Sequence, residues 1–253
     1  MERKIRVGAV SYLNTKPLIY EFEKGMMEDQ MELIIDHPAR LASMLVKDEI
    51  DIGLVPVAII PELEEYYVVS DFCIASNGEV ASVCLFSEVP LIQVNRILLD
   101  YQSRTSAALL KILIKEYWKL DVVIEQTNGQ YQEKIKGTTA ALVIGDRALE
   151  QRKVSPYIYD LGLAWKLFTG LPFVFATWIS KKKIPDTFIK EFNAVNAIGL
   201  NAIPQIVDHQ NYKLYDLYKY YNENLSYTLD EEKMKGLSYF LSMLNNKSFS
   251  GSY

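Results

Sequence analysis

The stretch Ile5-Arg6-Val7-Gly8-Ala9-Val10-Ser11-Tyr12-Leu13-Asn14-Thr15-Lys16-Pro17 decides the architecture. Ile5–Val10 is an apolar run that gives way to polar residues, the pattern of a strand buried in a parallel sheet. A helix follows over Thr15–Glu23, capped by Asn14 or Thr15, with Pro17 in the first turn, where proline is tolerated. Glu32–Asp36 reads as a second strand. Pro38 opens a helix through Lys47 with Leu41, Met44 and Leu45 on one face, and Asp51–Val55 is a third strand stopped by Pro56. This strand–helix alternation opens a parallel α/β layer.

Beyond it, Tyr67–Ser87 is strand-like and includes the run Val83–Phe86. Arg96–Leu99 is a strand, and Ser103 caps a helix through Trp118. Val122–Glu125, Ala140–Ile144 and Tyr157–Asp160 are further strands, so a second α/β unit is expected, and Phe173–Ile179 looks like a strand leading back. From Asp186 to about Leu244 the pattern is helical with almost no strand signal, and the tail Ser248–Tyr253 is expected to fray. Two α/β units joined by strand-like crossings predict two lobes with a ligand cleft between them. The expected division is 1–90 plus 181–253 for lobe one and 91–180 for lobe two.

A chain of 253 residues has room for one or two domains. With 49% hydrophobic and 23% charged residues it is no disordered segment. The net charge of −5 argues against a general nucleic-acid binder, which needs a clustered basic face. The one basic run, Lys181-Lys182-Lys183, reads as a solvated turn. No apolar run approaches the ~20 residues that span a bilayer. The N-terminal charges lead straight into a strand, with no secretory pattern, so a cytoplasmic location is expected. Cys73 and Cys84 form no disulfide framework. His37 and His209 have no metal-ligand spacing, and neither metal nor cofactor is expected. There is no Gly-x-Gly-x-x-Gly, P-loop or Gly-x-Ser-x-Gly.

Three polar junctions stand out instead. Ser11–Pro17 follows the first strand, Asp100–Ser106 precedes the long helix, and Gly145-Asp146-Arg147 follows the Ala140–Ile144 strand. Open parallel sheets bind ligands outside the carboxyl ends of their strands, where helix N-termini offer free N–H groups to anions. Ser103, Thr105 and Ser106 add hydroxyl donors and Arg104 a guanidinium fork. Each junction taken singly also has the composition of a plain helix cap.

The segment Arg6–Leu18 resembles the opening motif of the chorismate dehydratases, which begin the futalosine-type route to menaquinone. The resemblance continues in register through Asp51-Ile52-Gly53-Leu54-Val55-Pro56, Ser82–Ser87, and Leu99-Asp100 with Ser103-Arg104-Thr105-Ser106. It extends to Ala141–Asp146, to Asp160-Leu161-Gly162 with Trp165, and to Thr169–Phe173. It covers about residues 5 to 180. The resemblance implies an α/β fold like the type 2 periplasmic binding proteins, with two lobes and a central ligand cleft. It also implies a carbon–oxygen lyase that takes chorismate, a small dicarboxylate, to 3-[(1-carboxyvinyl)oxy]benzoate and water. A sister family of the same fold, making dihydroxynaphthoate, has a different opening motif. A non-catalytic carboxylate binder is the remaining alternative.

On that resemblance, Ser103, Thr105 and Ser106 with their helix N-terminus would hold one carboxylate, and Ser82 and Ser11 the other end of the substrate. Asn14 would contact the reacting region as the catalytic residue. An amide cannot be the base, and the motifs hold no histidine, so the substrate's own side-chain carboxylate is the expected proton acceptor. Asp146 caps its helix or borders the site with Gly145. Arg104 holds a carboxylate or pairs with an acid, Pro56 shapes the wall, and Trp165 and Phe173 wall the ring or belong to the core.

Overall fold

The structure is a computed structural model that describes residues 3–100, 104–127, 129 and 131–245. Ser103 and the tail 248–253 lie outside the described residues. The chain runs β1 (Ile5–Ala9), α1 (Lys16–Glu23), β2 (Met31–Ile35), α2 (Pro38–Val46), β3 (Ile52–Pro56), β4 (Tyr67–Ser76), β5 (Val83–Ser87) and β6 (Arg96–Asp100). It continues α3 (Arg104–Ile112), β7 (Val123–Thr127), β8 (Thr139–Ile144), α4 (Asp146–Gln151), β9 (Tyr157–Asp160), α5 (Leu161–Thr169) and β10 (Phe173–Ser180). The last part is α6 (Asp186–Asn201), α7 (Ile203–His209), α8 (Leu217–Lys219), β11 (Ser226–Thr228) and α9 (Glu231–Asn245).

The opening segment folds as its pattern dictates. β1 pairs in parallel with β2, with Val7 opposite Leu33, and with β3, with Gly8 opposite Gly53. Pro17 and Pro38 sit at the starts of α1 and α2, where the lost N–H has no intrahelical partner to miss. Gly8 sits where the packing leaves a Cβ no room unless neighbouring side chains shift. A Cβ there would lie 2.7 Å from both Leu41 Cδ2 and Ile50 Cδ1, so its absence lets α2 press onto β1.

The strands form two sheets, ordered β11-β4-β10-β3-β1-β2 and β7-β6-β8-β5-β9. Two strands sit in the other sheet from the one that a 1–90/91–180 division assigns. β5 runs antiparallel to β8 and β9 in the second sheet, and β10 runs antiparallel to β3 and β4 in the first. The chain therefore crosses between lobes at 77–82 and at 170–172. A strand's local pattern says that it is buried, not which sheet buries it.

The long helix expected through Trp118 is α-helical to Ile112 and then widens into a π-helical turn over Leu113–Trp118. The C-terminal part is mostly helical, but β11 adds a short strand to the free edge of β4. It puts Tyr227 into the core of lobe one. Cys73 and Cys84 are buried, free and in different sheets. Burial pushes the Cys73 thiol up to about 12, so it is inert rather than reactive.

Candidate active site

Three chain turns converge between the sheets. After β1, Tyr12 leads into a 3-10 turn, Leu13–Thr15, that runs directly into α1. After β8, Gly145 turns the chain into α4 with φ +64° and ψ −148°, a conformation closed to residues with a Cβ. A Cβ at Gly145 would also meet the Tyr12 ring from the other lobe at 3.8 Å. Between them runs the 77–82 crossing, and Gly145 N–H donates to the Ser82 carbonyl at 2.8 Å.

The cleft between the lobes holds about 640 Å³ of space between atoms, part of it open to solvent. Asn14, Pro56, Ser82, Thr105, Ser106 and Gly145 all line it, so the three junctions meet at one place. Tyr12, Leu54, Ile74, Ile144 and Phe175 supply apolar walls. None of the described lining residues carries a charge. An anionic ligand here meets neutral donors: the Asn14 amide, the Ser82, Thr105 and Ser106 hydroxyls, and the first turn of α3.

Several donors are tied across or behind the cleft. The Thr15 hydroxyl donates to Asn14 Oδ1 at 3.2 Å, and the Tyr227 hydroxyl donates to the Asn14 carbonyl at 2.9 Å. The Thr105 hydroxyl accepts the Ala58 N–H of the opposite lobe at 3.2 Å. The Tyr220 hydroxyl donates to Ser82 Oγ at 2.7 Å.

The crossing beside Ser82 is held under strain. Ala81 has φ +62°, unusual for a residue with a Cβ. Asp160, at the N-cap of α5, accepts the N–H groups of Val80 at 3.0 Å, Ala81 at 2.7 Å and Leu163 at 3.0 Å. Burial pushes the Asp160 carboxyl up, and the three N–H bonds pull against it. Arg152 reaches the Ala81 carbonyl at 3.3 Å and pairs with Glu79. From lobe one, the Asn224 amide donates to the Glu79 carbonyl at 3.2 Å.

Other expected site residues lie elsewhere. Ser11 is exposed and does not line the cleft. Arg104 points away, with Nη1 reaching both Glu62 carboxylate oxygens at 3.0 and 2.8 Å. Trp165 is fully buried and does not line the cleft. Its indole N–H donates to the Pro172 carbonyl at 3.2 Å, and its ring packs on Phe168, Phe173, Tyr239 and Phe240. Phe173 is part of that core, and the ring facing the cleft is Phe175, two residues along β10. Asp146 sits beside the cleft, where its carboxylate accepts the Leu13 N–H across the lobes at 3.2 Å. His37 is exposed at the start of α2, and His209 Nδ1 lies 3.3 Å from the Tyr20 hydroxyl at the surface. Among the described residues, no group of three His, Cys, Asp or Glu side chains is placed to hold a metal ion. None of their helices is long and apolar enough to cross a membrane.

The family model for menaquinone biosynthesis matches residues 5–246. The chain belongs to the menaquinone-biosynthesis family. This family member is 27% identical, over 94% of each chain, to the chorismate dehydratase of Thermus thermophilus. Its fold is that of the periplasmic binding proteins. It superposes with a TM-score of 0.69 on the alkanesulfonate-binding protein of Xanthomonas axonopodis pv. citri, at 10% identity over 99% of this chain and 95% of that one. A Candida albicans gene product with the generic periplasmic-binding-protein fold matches with a TM-score of 0.63, at 12% identity over 99% and 92% of the two chains. An Archaeoglobus fulgidus protein of solved structure matches with a TM-score of 0.76, at 14% identity over 98% of each chain. The cleft of the menaquinone-biosynthesis family member thus lies between the lobes of a binding-protein fold.

Proposed function

We propose that this chain is a chorismate dehydratase, a hydro-lyase that converts chorismate to 3-[(1-carboxyvinyl)oxy]benzoate and water in menaquinone biosynthesis. The observation that carries the reading is the meeting of Asn14 with the Ser82, Thr105 and Ser106 hydroxyls in one uncharged cleft. The substrate is suggested by the named Thermus relative. Its two carboxylates suit the hydroxyl donors and the α3 N-terminus, and its ring suits the walls made by Tyr12, Phe175 and Pro56.

The reaction removes a proton from the ether-bearing ring carbon and the hydroxyl from its neighbour. The ring becomes aromatic, which drives the loss of water. A base must take the carbon-bound proton, and no described lining side chain is a carboxylate or histidine. The enolpyruvyl carboxylate of the substrate takes that role, and the proton then leaves with the hydroxyl as water. The chain's part is positioning and hydrogen bonding, with Asn14 beside the reacting region. The proposed enzyme works in the cytoplasm.

A mass-spectrometric time course with chorismate tests the reading. The purified chain should form a product lighter by one water, and Asn14→Ala should form it at least about tenfold more slowly, as expected for losing one polarising contact. Thermal stabilisation by chorismate without any product would mark a binder, in keeping with the binding-protein fold.

A further inference from the structure

The hydroxyl of Ser82 can donate its proton in only one direction at a time, and Tyr220 selects that direction. Ser82 lines the cleft and is itself 0% exposed; Tyr220, also 0% exposed, lies behind it at the start of a π-helical turn over Tyr220–Asn224. The two oxygens are 2.7 Å apart, a normal O–H···O distance. Burial pushes the Tyr220 phenol well above its ordinary range, so it stays protonated and keeps its donor. A phenol is a stronger acid than an aliphatic hydroxyl, so it takes the donor role. Ser82 Oγ then accepts, and its own proton is left for another partner. Among the described residues the acceptor for that proton is the Val80 carbonyl at 3.5 Å, too long for a good bond. A carboxylate oxygen entering the cleft is the better acceptor, and donation from the phenol polarises the serine O–H toward it.

We infer that Tyr220 is a positioning residue that aims the Ser82 hydroxyl into the cleft as a preorganised donor for a substrate carboxylate. The inference rests on the dehydratase reading and deepens it. It gives the C-terminal segment, 138 residues away in sequence, a role in substrate affinity. The backbone around the phenol suits that role. Tyr220 N–H donates to the Asp216 carbonyl at 2.9 Å, Leu225 N–H donates to the Tyr220 carbonyl at 3.0 Å, and the ring packs on Tyr215 and Tyr221.

The test is a double-variant cycle on chorismate turnover by the full chain. Tyr220→Phe, which removes one oxygen atom, should raise KM roughly five- to tenfold with kcat little changed, the loss expected of one hydrogen bond to a charged ligand. Ser82→Ala should raise KM by at least as much. The double variant should be no worse than Ser82→Ala, because the phenol acts only through the serine. Replacing Tyr220 by 3-fluorotyrosine, a stronger donor, should lower KM, and this arm stands even if Ser82→Ala fails to fold. Opposite shifts from two near-isosteric changes do not come from a merely structural role. An unchanged KM in Tyr220→Phe, or a double variant whose effects multiply, overturns the inference and leaves the dehydratase reading intact. A wild-type chain that does not consume chorismate overturns both.

Discussion

The carboxylate of Asp146 accepts the backbone N–H of Leu13 across the cleft at 3.2 Å. One partner follows the last parallel strand of the second sheet, and the other follows β1 of the first. Other polar contacts also span the lobes, among them Ala58 N–H to the Thr105 hydroxyl, the Tyr212 hydroxyl to the Asp146 carbonyl, and Arg104 to Glu62. The residues that line or border the cleft are thus also the residues that hold it together. A separation of the lobes would break the same bonds that position Thr105 and the Asn14 turn, which would link ligand exchange to site assembly.

Asp146 should make the stability of the folded chain depend on pH. Burial and, more weakly, the Glu150 carboxylate push its carboxyl above the ordinary range, against the Leu13 N–H that pulls it down. A carboxyl raised in the folded state binds more protons folded than unfolded. Its contribution therefore falls as pH rises from about 4 through the raised folded value. Asp146→Asn keeps an acceptor for Leu13 N–H and removes the charge. Chemical denaturation between about pH 4 and 7 should show the variant gaining on wild type as pH rises. A stability difference that does not change with pH would place the shift elsewhere.

Gly145→Ala should damage both fold and site. The backbone conformation costs about 1–3 kcal/mol for a residue with a Cβ. The added atom has ordinary room, 3.8 Å from the Tyr12 ring, so strain and not collision is the cause. We expect a lower unfolding midpoint and a raised KM for chorismate, measured on the same preparation.

Trp165 and Phe175 should separate stability from affinity. Trp165→Ala empties a fully buried site and should cost about 3–5 kcal/mol, while the folded fraction keeps its KM. Phe175→Ala removes a cleft wall and should raise KM. Arg104→Ala should do neither. Its partner Glu62 is 54% exposed, and pairs of that kind contribute about 0–1 kcal/mol. A large loss of chorismate affinity in Arg104→Ala would instead make the guanidinium a ligand contact.

The sequence made the β1–α1–β2–α2–β3 layer legible because each element has a clean period and proline marks both helix starts. The junction residues Asn14, Thr105, Ser106 and Gly145 were legible for a related reason, whereas Ser82 was reached only through the family resemblance. Their turns leave or approach strand ends, and the fold brings those ends together. The sheet membership of β5 and β10 was not legible, because a crossing is a tertiary fact. Nor was β11, where Ser226–Thr228 is too short to show a period. Missing it hid Tyr227. Tyr212, Tyr220 and Tyr227 reach Asp146, Ser82 and Asn14 from a segment that reads only as helix. Nothing local to a tyrosine names a partner so distant in the chain. The core placement of Trp165 was one of two readings its sequence left open, because a large aromatic beside a motif looks the same whether it faces ligand or core.

Asp160→Asn should uncouple the crossing from the second lobe. The native carboxylate accepts three backbone N–H groups, two of them from Val80 and Ala81 immediately before Ser82. An asparagine offers one oxygen in place of two, and its amide would face an N–H group instead of accepting from it. At least one buried donor is left unpaired, a loss of about 1–3 kcal/mol. The strained Ala81 turn depends on that bond, so its release should let Ser82 drift from the cleft. We expect a lower unfolding midpoint, faster amide exchange confined to residues 79–83, and a KM for chorismate raised in step with that exchange. Faster exchange across the whole second lobe would instead make Asp160 a general stabiliser with no particular bearing on Ser82.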